Sequence, residues 1–306
     1  MDRFGDHLMA LLPGGYVDLD GTLQREVELA PFTGREEELL AGRQQRGESA
    51  ALVTTVLQRC IRRLGTISPV SEDVTRGLLA ADRQYLLLKL RELTLGDHIR
   101  ATLCCPWPDC GKKVMVSFST NAIPVVESVD KGPLYRMELS PEAAFVATDG
   151  EYYREIIFRL PNGGDQEALA PVLDQNEARA LTLLLQRCIC SIGPVDDPDE
   201  EAISRLSPLA RLEIEQQMER VAPKVELTME SQCPECGRDY AAPFDLQDFF
   251  FGELRTSRDL LYREVHYLAY HYHWSEREIM ELPRQKRRAY IELLAEEIEK
   301  LNNAIA

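Results

Sequence analysis

Two cysteine turns constrain this chain more than any other feature: Cys105-Pro106-Trp107-Pro108-Asp109-Cys110-Gly111 and Cys233-Pro234-Glu235-Cys236-Gly237. Each opens with Cys-Pro, places a second Cys after four or two residues, and follows it with Gly. Proline stiffens the turn, the two thiolates converge on one side, and glycine takes the backbone conformation that points amides back at sulfur. Two such knuckles supply four thiolates. Tetrahedral Zn(II) takes four, and a closed all-thiolate set is a structural site rather than a catalytic one. Cys105, Cys110, Cys233 and Cys236 are therefore the expected ligands of one zinc. The alternative left open is that each knuckle completes its set in another subunit.

The knuckles occupy the same place in an internal repeat. Leu57-Gln58-Arg59-Cys60-Ile61 returns 128 residues later as Leu185-Gln186-Arg187-Cys188-Ile189, and Cys105 to Cys233 is the same interval. Gly65 with Gly193, Leu78 with Leu206 and Arg83 with Arg211 keep it. Upstream, Asp20-Gly21 with Arg25-Glu26-Val27 matches Asp149-Gly150 with Arg154-Glu155-Ile156 at 129. A period this long describes a duplicated domain, not a solenoid. The expected division is a short arm over 1–14, one unit over 15–120, a second over 144–248, and a helical arm over 256–306. Fusion of a former dimer predicts equivalent surfaces meeting across an approximate two-fold axis near the metal.

Local signals predict the content of each unit. Tyr16 to Leu29 reads as a β-hairpin turning at Asp20-Gly21, and Phe145 to Leu160 as another turning at Asp149-Gly150. Helical patterns follow at Thr33–Leu40, Glu48–Leu64 and Leu78–Leu93, with counterparts from Asp165, Asn176 and Ser207; Gly65 and Gly193 are expected to stop the second helix of each set. Ile99–Cys104 with Lys113–Phe118, and Lys224–Gln232 with Tyr240–Phe244, flank the knuckles as hairpins. The fold class is α+β: two tandem homologous units, each a β-hairpin, helices and a zinc-knuckle hairpin, sharing one zinc ribbon, plus a helical C-terminal arm.

Charge and cysteine usage narrow the function. A net charge of −16 opposes nucleic-acid binding, where neutralising phosphate supplies most of the affinity. The acid-rich Asp196 to Glu201 reads as solvated loop. No leader pattern and no run of eighteen apolar residues occurs, so a cytoplasmic chain without direct membrane insertion is expected, in which thiols stay reduced and knuckles hold metal. Cys60, Cys104, Cys188 and Cys190 read as packing residues.

Nothing in the sequence supports an enzyme. Gly163-Gly164 sits in a hairpin-to-helix turn and lacks the Lys-Ser/Thr of a phosphate loop. His266, His271 and His273 lie on an aromatic helix and read as packing or surface histidines. Arg284, Lys286, Arg287 and Arg288 read as a solvated first turn balanced by Glu292, Glu296 and Glu297. Tyr262, Tyr267, Tyr270, Tyr272 and Trp274 crowd thirteen residues, so the arm either carries a partner contact or folds back on the repeats.

The Glu-rich helix start at Thr33–Leu40, the Leu-Gln-Arg-Cys helix, Asp82-Arg83-Gln84-Tyr85-Leu86-Leu87-Leu88 and the strand running into Cys-Pro…Cys-Gly together resemble the baseplate hub and hub-assembly proteins of T4-type phages and related contractile injection systems. Ala269 to Ser275 with Arg287-Arg288 is similar to a small helical family encoded beside such systems. The resemblance implies a non-enzymatic structural or assembly role in a baseplate hub, with other baseplate or hub proteins as partners, in the cytoplasm or within the assembled tail-like particle. Single-copy members carry the unit once; here it occurs twice. The competing expectation is a zinc-ribbon nucleic-acid-associated protein, against which the acidity argues.

Overall fold

The computed structural model describes residues 7–42, 49–128, 132–148, 150–173, 175–255 and 258–305. In the first half, strands β1 (Leu8–Val17) and β2 (Leu23–Leu29) run antiparallel around a turn where the Asp18 carboxylate accepts from the amides of Asp20 and Thr22. Helices α1 (Gly34–Gly42) and α2 (Ser49–Cys60) lead to β3 (Ile61–Leu64), which pairs with β2 and completes a sheet ordered β1-β2-β3. Thr33 and Glu36 cap α1 reciprocally: the Thr33 amide donates to the Glu36 carboxylate, and the Arg35 amide to the Thr33 hydroxyl. Then come α3 (Glu72–Gly77), α4 (Ala80–Leu95), the knuckle hairpin β4 (His98–Cys104) with β5 (Lys113–Ser119), and β6 (Val125–Val126).

The second half has β7 (Tyr135–Glu138), β8 (Phe145–Val146), β9 (Tyr152–Tyr153) and β10 (Glu155–Phe158), then α5 (Gly163–Leu173), α6 (Glu177–Cys188), β11 (Ile189–Ile192) and β12 (Val195–Asp196). Helices α7 (Glu200–Ser204) and α8 (Pro208–Val221) precede β13 (Lys224–Val225), which pairs with β6, and the second knuckle hairpin of β14 (Thr228–Gln232) and β15 (Asp239–Pro243). Its sheet is ordered β12-β11-β10-β7. Strand β1 bulges between Leu11 and Tyr16, whereas a 3-10 turn at Pro141–Ala143 separates β7 from β8.

Several expectations are corrected. Residues 8–14, expected as an arm, belong to β1, because Leu8, Ala10 and Leu12 face the core in strand alternation and Leu12 is fully buried; residues 1–6 lie outside the described residues. Strand β7 begins the second sheet ahead of residue 144, through a four-residue pattern too short to stand out. Helices α2 and α6 stop at Cys60 and Cys188 rather than at the glycines, because Ile61 and Ile189 enter the sheets opposite Leu29 and Phe158. Gly65 and Gly193 turn the chain after those strands at φ +55° and +54°. Among the described residues, four helices precede each knuckle hairpin instead of three. The acidic run contributes to α7, with Asp199 capping Ala202 and two glutamates in the first turn, where the helix dipole favours them. Asp149, the first residue of the expected second turn, lies outside the described residues.

The halves meet unevenly. Helix α5 packs on α2, α3 and α4, whereas α1 packs on later helices, so the expected contact between equivalent surfaces is not what joins the helical layers. The second knuckle hairpin and the helix after it, α9 (Leu246–Arg255), bury Cys233, Tyr240, Phe244, Leu246, Phe250 and Phe251 in the first half's core. Phe250 stacks on Phe32 with ring centroids 5.3 Å apart.

Helices α10 (Arg258–Tyr272), α11 (Glu276–Met280) and α12 (Arg284–Ile305) form a third small core of Leu261, Val265, Leu268, Ile279 and Met280. Ser275 and Glu278 make the expected capping box. The arm docks on α1. Arg287, with no exposed surface, donates to Glu37 at 2.7 Å, Glu264 at 3.1 Å and the Leu282 carbonyl at 2.8 Å, and Arg284 lies 3.5 Å from Glu37. The basic cluster is thus only partly the solvated turn expected. Two of its arginines are interior because a buried carboxylate on α1 requires cations there.

Candidate metal centre

The two knuckle turns are built alike from backbone hydrogen bonds. In the first, the amides of Cys110 and Gly111 donate to the Trp107 carbonyl at 2.9 and 3.0 Å, and the Cys105 amide reaches the Lys112 carbonyl at 2.8 Å. In the second, the Gly237 amide donates to the Cys233 carbonyl at 2.8 Å and the Cys233 amide to the Arg238 carbonyl at 3.0 Å. Both closing glycines have left-handed backbone, Gly111 at φ +56° and Gly237 at +68°, with open space where a Cβ would stand. Glycine is needed there for its backbone, not for room.

The fold brings the four expected residues together. Their sulfurs all lie within 4.8 Å of one another, and Cys105 to Cys236 and Cys110 to Cys233 are 3.8 and 3.7 Å. Four sulfurs at Zn–S bonds of about 2.3 Å sit about 3.8 Å apart along the edges of a tetrahedron, so the donors fit zinc in number, type and spacing. Each close pair joins the first cysteine of one knuckle to the second of the other. Cys105 and Cys233 are buried, while Cys110 and Cys236 stand at the rim. Burial pushes the Cys105 thiol up to about 12, whereas the Arg238 amide holds the Cys236 thiol down at about 7.

Arg238 was not legible as part of this site. Its guanidinium lies 4.8 Å above the Trp107 ring and pairs with Asp109, so one side chain of the second knuckle clamps two residues of the first. It stands two residues from Cys236, where a cation offsets the negative charge of a four-thiolate set. The only forewarning is its position directly behind Gly237.

The other cysteines stay apart. Cys60 and Cys188 are buried, and burial raises both thiols, Cys188 to about 12, as suits inert packing residues. Cys104 is exposed and Cys190 half-buried. His271 packs edge-on against Tyr267 and Tyr270. Among the described residues, the four knuckle cysteines are the one group of three or more metal-ligating side chains brought within reach of an ion. They leave no fifth protein donor and offer a closed clasp.

No described helix is long and apolar enough to cross a membrane. No curated protein and no solved structure matches the chain. A family model described as a family of unknown function, DUF6760, matches residues 254–306, the docked helical arm. A second, described as T4 bacteriophage base plate protein, matches residues 17–251, from the last residue of β1 through both knuckles and into α9. The chain therefore belongs to the T4 bacteriophage base plate protein family.

Proposed function

We propose that the protein is a non-enzymatic structural or assembly component of the baseplate hub of a contractile tail-like particle, made as two tandem homologous units clasped by one structural zinc. The four-thiolate cluster carries this reading, because each half contributes two ligands and neither half can close a tetrahedral site alone. The duplication is supported by hydrogen bonds that recur 127 to 129 residues apart. Gly65 and Gly193 donate to Glu26 and Glu155 at 2.7 and 2.8 Å, and the Arg25 and Arg154 side chains donate to the Leu12 and Leu139 carbonyls at 2.8 and 2.7 Å.

In this role the zinc adds to the apolar packing that already joins the halves. Structural zinc contributes on the order of 10 kcal/mol, comparable to the stability of a whole domain. It would hold the two knuckle hairpins rigid while other faces meet baseplate partners. Affinity purification of the tagged chain from cells assembling the particle, with mass spectrometry of intermediates and finished particles, tests the role. Co-purification with hub proteins in either fraction is expected. Particles that assemble normally without the gene, and a chain present in neither fraction, would reject it.

A further inference from the structure

The two knuckle hairpins turn opposite chemistry to solvent. On the first, strand alternation sends Ile99, Ala101, Val114 and Val116 into the core and leaves Arg100, Thr102, Lys113 and Met115 outside. Register places Thr102 opposite Met115, with Arg100 and Lys113 as the diagonal neighbours of that pair. Met115 is 77% exposed, an apolar knob between two cations, and neither cation forms a salt bridge among the described residues. Beside the second hairpin lies the complement. A notch of about 140 Å³ opens where β14 runs past the end of β5, lined by Phe118, Ile123, Pro124, Leu227 and Phe244. Glu226 and Glu230 stand at its mouth, both exposed and neither in a salt bridge among the described residues.

Met115 does not fill the notch of its own chain, because it lies on the opposite face of β5 from Phe118. We infer that knob and notch are the two sides of a contact between copies of this chain. Met115 of one copy enters the notch of the next, while Arg100 and Lys113 face the next copy's Glu226 and Glu230. The sizes agree, since an apolar cavity of about 150 Å³ admits a group as large as benzene. An unbranched thioether is also the side chain best suited to an irregular gap. Because the two surfaces differ, the contact is heterologous: every copy keeps a knob for one neighbour and a notch for another, and copies join head to tail. The net charge of −16 opposes this at long range, but screening over about 8 Å at physiological ionic strength leaves the facing opposite charges to dominate at contact. The inference goes beyond the proposed hub role, and its failure would leave that role standing.

Sedimentation velocity on the full-length protein, at concentrations up to about 0.5 mM, reads the contact, because one knob with two flanking ion pairs lies at the weak end of specific interfaces. The sedimentation coefficient should rise with concentration, and Met115→Asn, R100E/K113E and E226K/E230K should each weaken association by at least about tenfold. All five side chains are exposed, so an unchanged melting curve verifies the fold of each variant. An equimolar mixture of the two charge variants should associate again. The R100E/K113E chain still offers an acidic notch, and the E226K/E230K chain still offers Met115 between cations. A wild type that stays monomeric throughout would overturn the proposal, as would a mixture that fails to recover. Association that all three variants retain would place the contact elsewhere and overturn it too.

Discussion

Arg83 and Arg211 stand 128 residues apart and make the same two hydrogen bonds. Arg83 donates to the Thr54 hydroxyl at 3.0 Å and the Thr75 carbonyl at 3.1 Å; Arg211 donates to the Thr182 hydroxyl at 2.9 Å and the Ile203 carbonyl at 2.9 Å. Both partners keep the interval of the donors. In each half, one guanidinium ties the fourth helix to the second and third. Their surroundings differ, because the start of α5 covers Arg83. A Cβ at Gly163 would overlap its guanidinium, and nothing equivalent buries Arg211, so Arg83 is 1% exposed and Arg211 half-buried.

That difference sets an order of stability effects. Arg83→Ala leaves the Thr75 and Ala50 carbonyls without this donor in the interior and is expected to cost about 2 kcal/mol or more, clearly exceeding Arg211→Ala, where water can replace the lost bonds. Gly163→Ala should cost about 1–3 kcal/mol through overlap with Arg83. Urea melts of the three variants check the ranking, and equal losses for the two arginines would contradict it.

A zinc shared by the two knuckles, as proposed, predicts a stoichiometry. Purified protein should carry one zinc per chain by elemental analysis, and Cys105→Ser and Cys233→Ser should each abolish tight binding, because three thiolates cannot close the set. Chelation should lower the melting temperature of the folded chain. Arg238→Ala should retain the metal but lose it faster to a chelator, since the clamp on Trp107 and Asp109 is gone. Two zincs per chain, or full occupancy after either Cys→Ser change, would rule out a ribbon shared by the halves.

Asp82 predicts a pH dependence. Its carboxylate is fully buried between the amides of Gly14 and Gly15, each at 2.8 Å. Burial raises its pKa from 3.8 to about 6, against the lowering effect of the two amides and Arg25. Between about pH 4 and 6 the folded chain keeps a proton that the unfolded chain has released. Stability from this group therefore falls as pH rises through the window, by on the order of 3 kcal/mol. Asp82→Asn should flatten that slope in urea melts recorded from pH 4 to 7. A slope unchanged by the substitution would show that Asp82 ionises normally.

Local chemistry made much of this legible. The knuckles announce themselves because a thiolate turn needs Cys, Pro and Gly at fixed places, and the capping box at Ser275 because both its bonds lie within four residues. Pairing across the chain was hidden. Ile61 and Ile189 continue a helical pattern in sequence, yet the sheets claim them, and only the strands opposite decide that. Leu8 to Leu12 alternates too briefly to separate strand from helix. Arg284 and Arg287 looked solvated because Glu292, Glu296 and Glu297 on the same helix offered to balance them. Their actual partner, Glu37, is some 250 residues away on α1.

The Glu37 and Arg287 pair makes the final test, because it decides whether the arm is an appendage or part of the folded unit. Both residues are buried, at 2% and 0% exposure, and Glu264 and Arg284 complete the network. Removing one member leaves uncompensated charge inside. Glu37→Gln is expected to cost about 3–5 kcal/mol, since both interior arginines then lose the carboxylate they pair with on α1. Arg287→Met should cost less, because Arg284 stays within 3.5 Å of Glu37 and Arg288 within 3.8 Å of Glu264. The double variant should lose less than the two single losses combined, with a coupling of about 1–3 kcal/mol. Truncation after Arg255 should preserve zinc binding, whose ligands lie outside the arm, while lowering the unfolding temperature by exposing α1. Additive losses in the cycle, with truncation leaving the melt unchanged, would mean that the arm hangs free of α1 in solution.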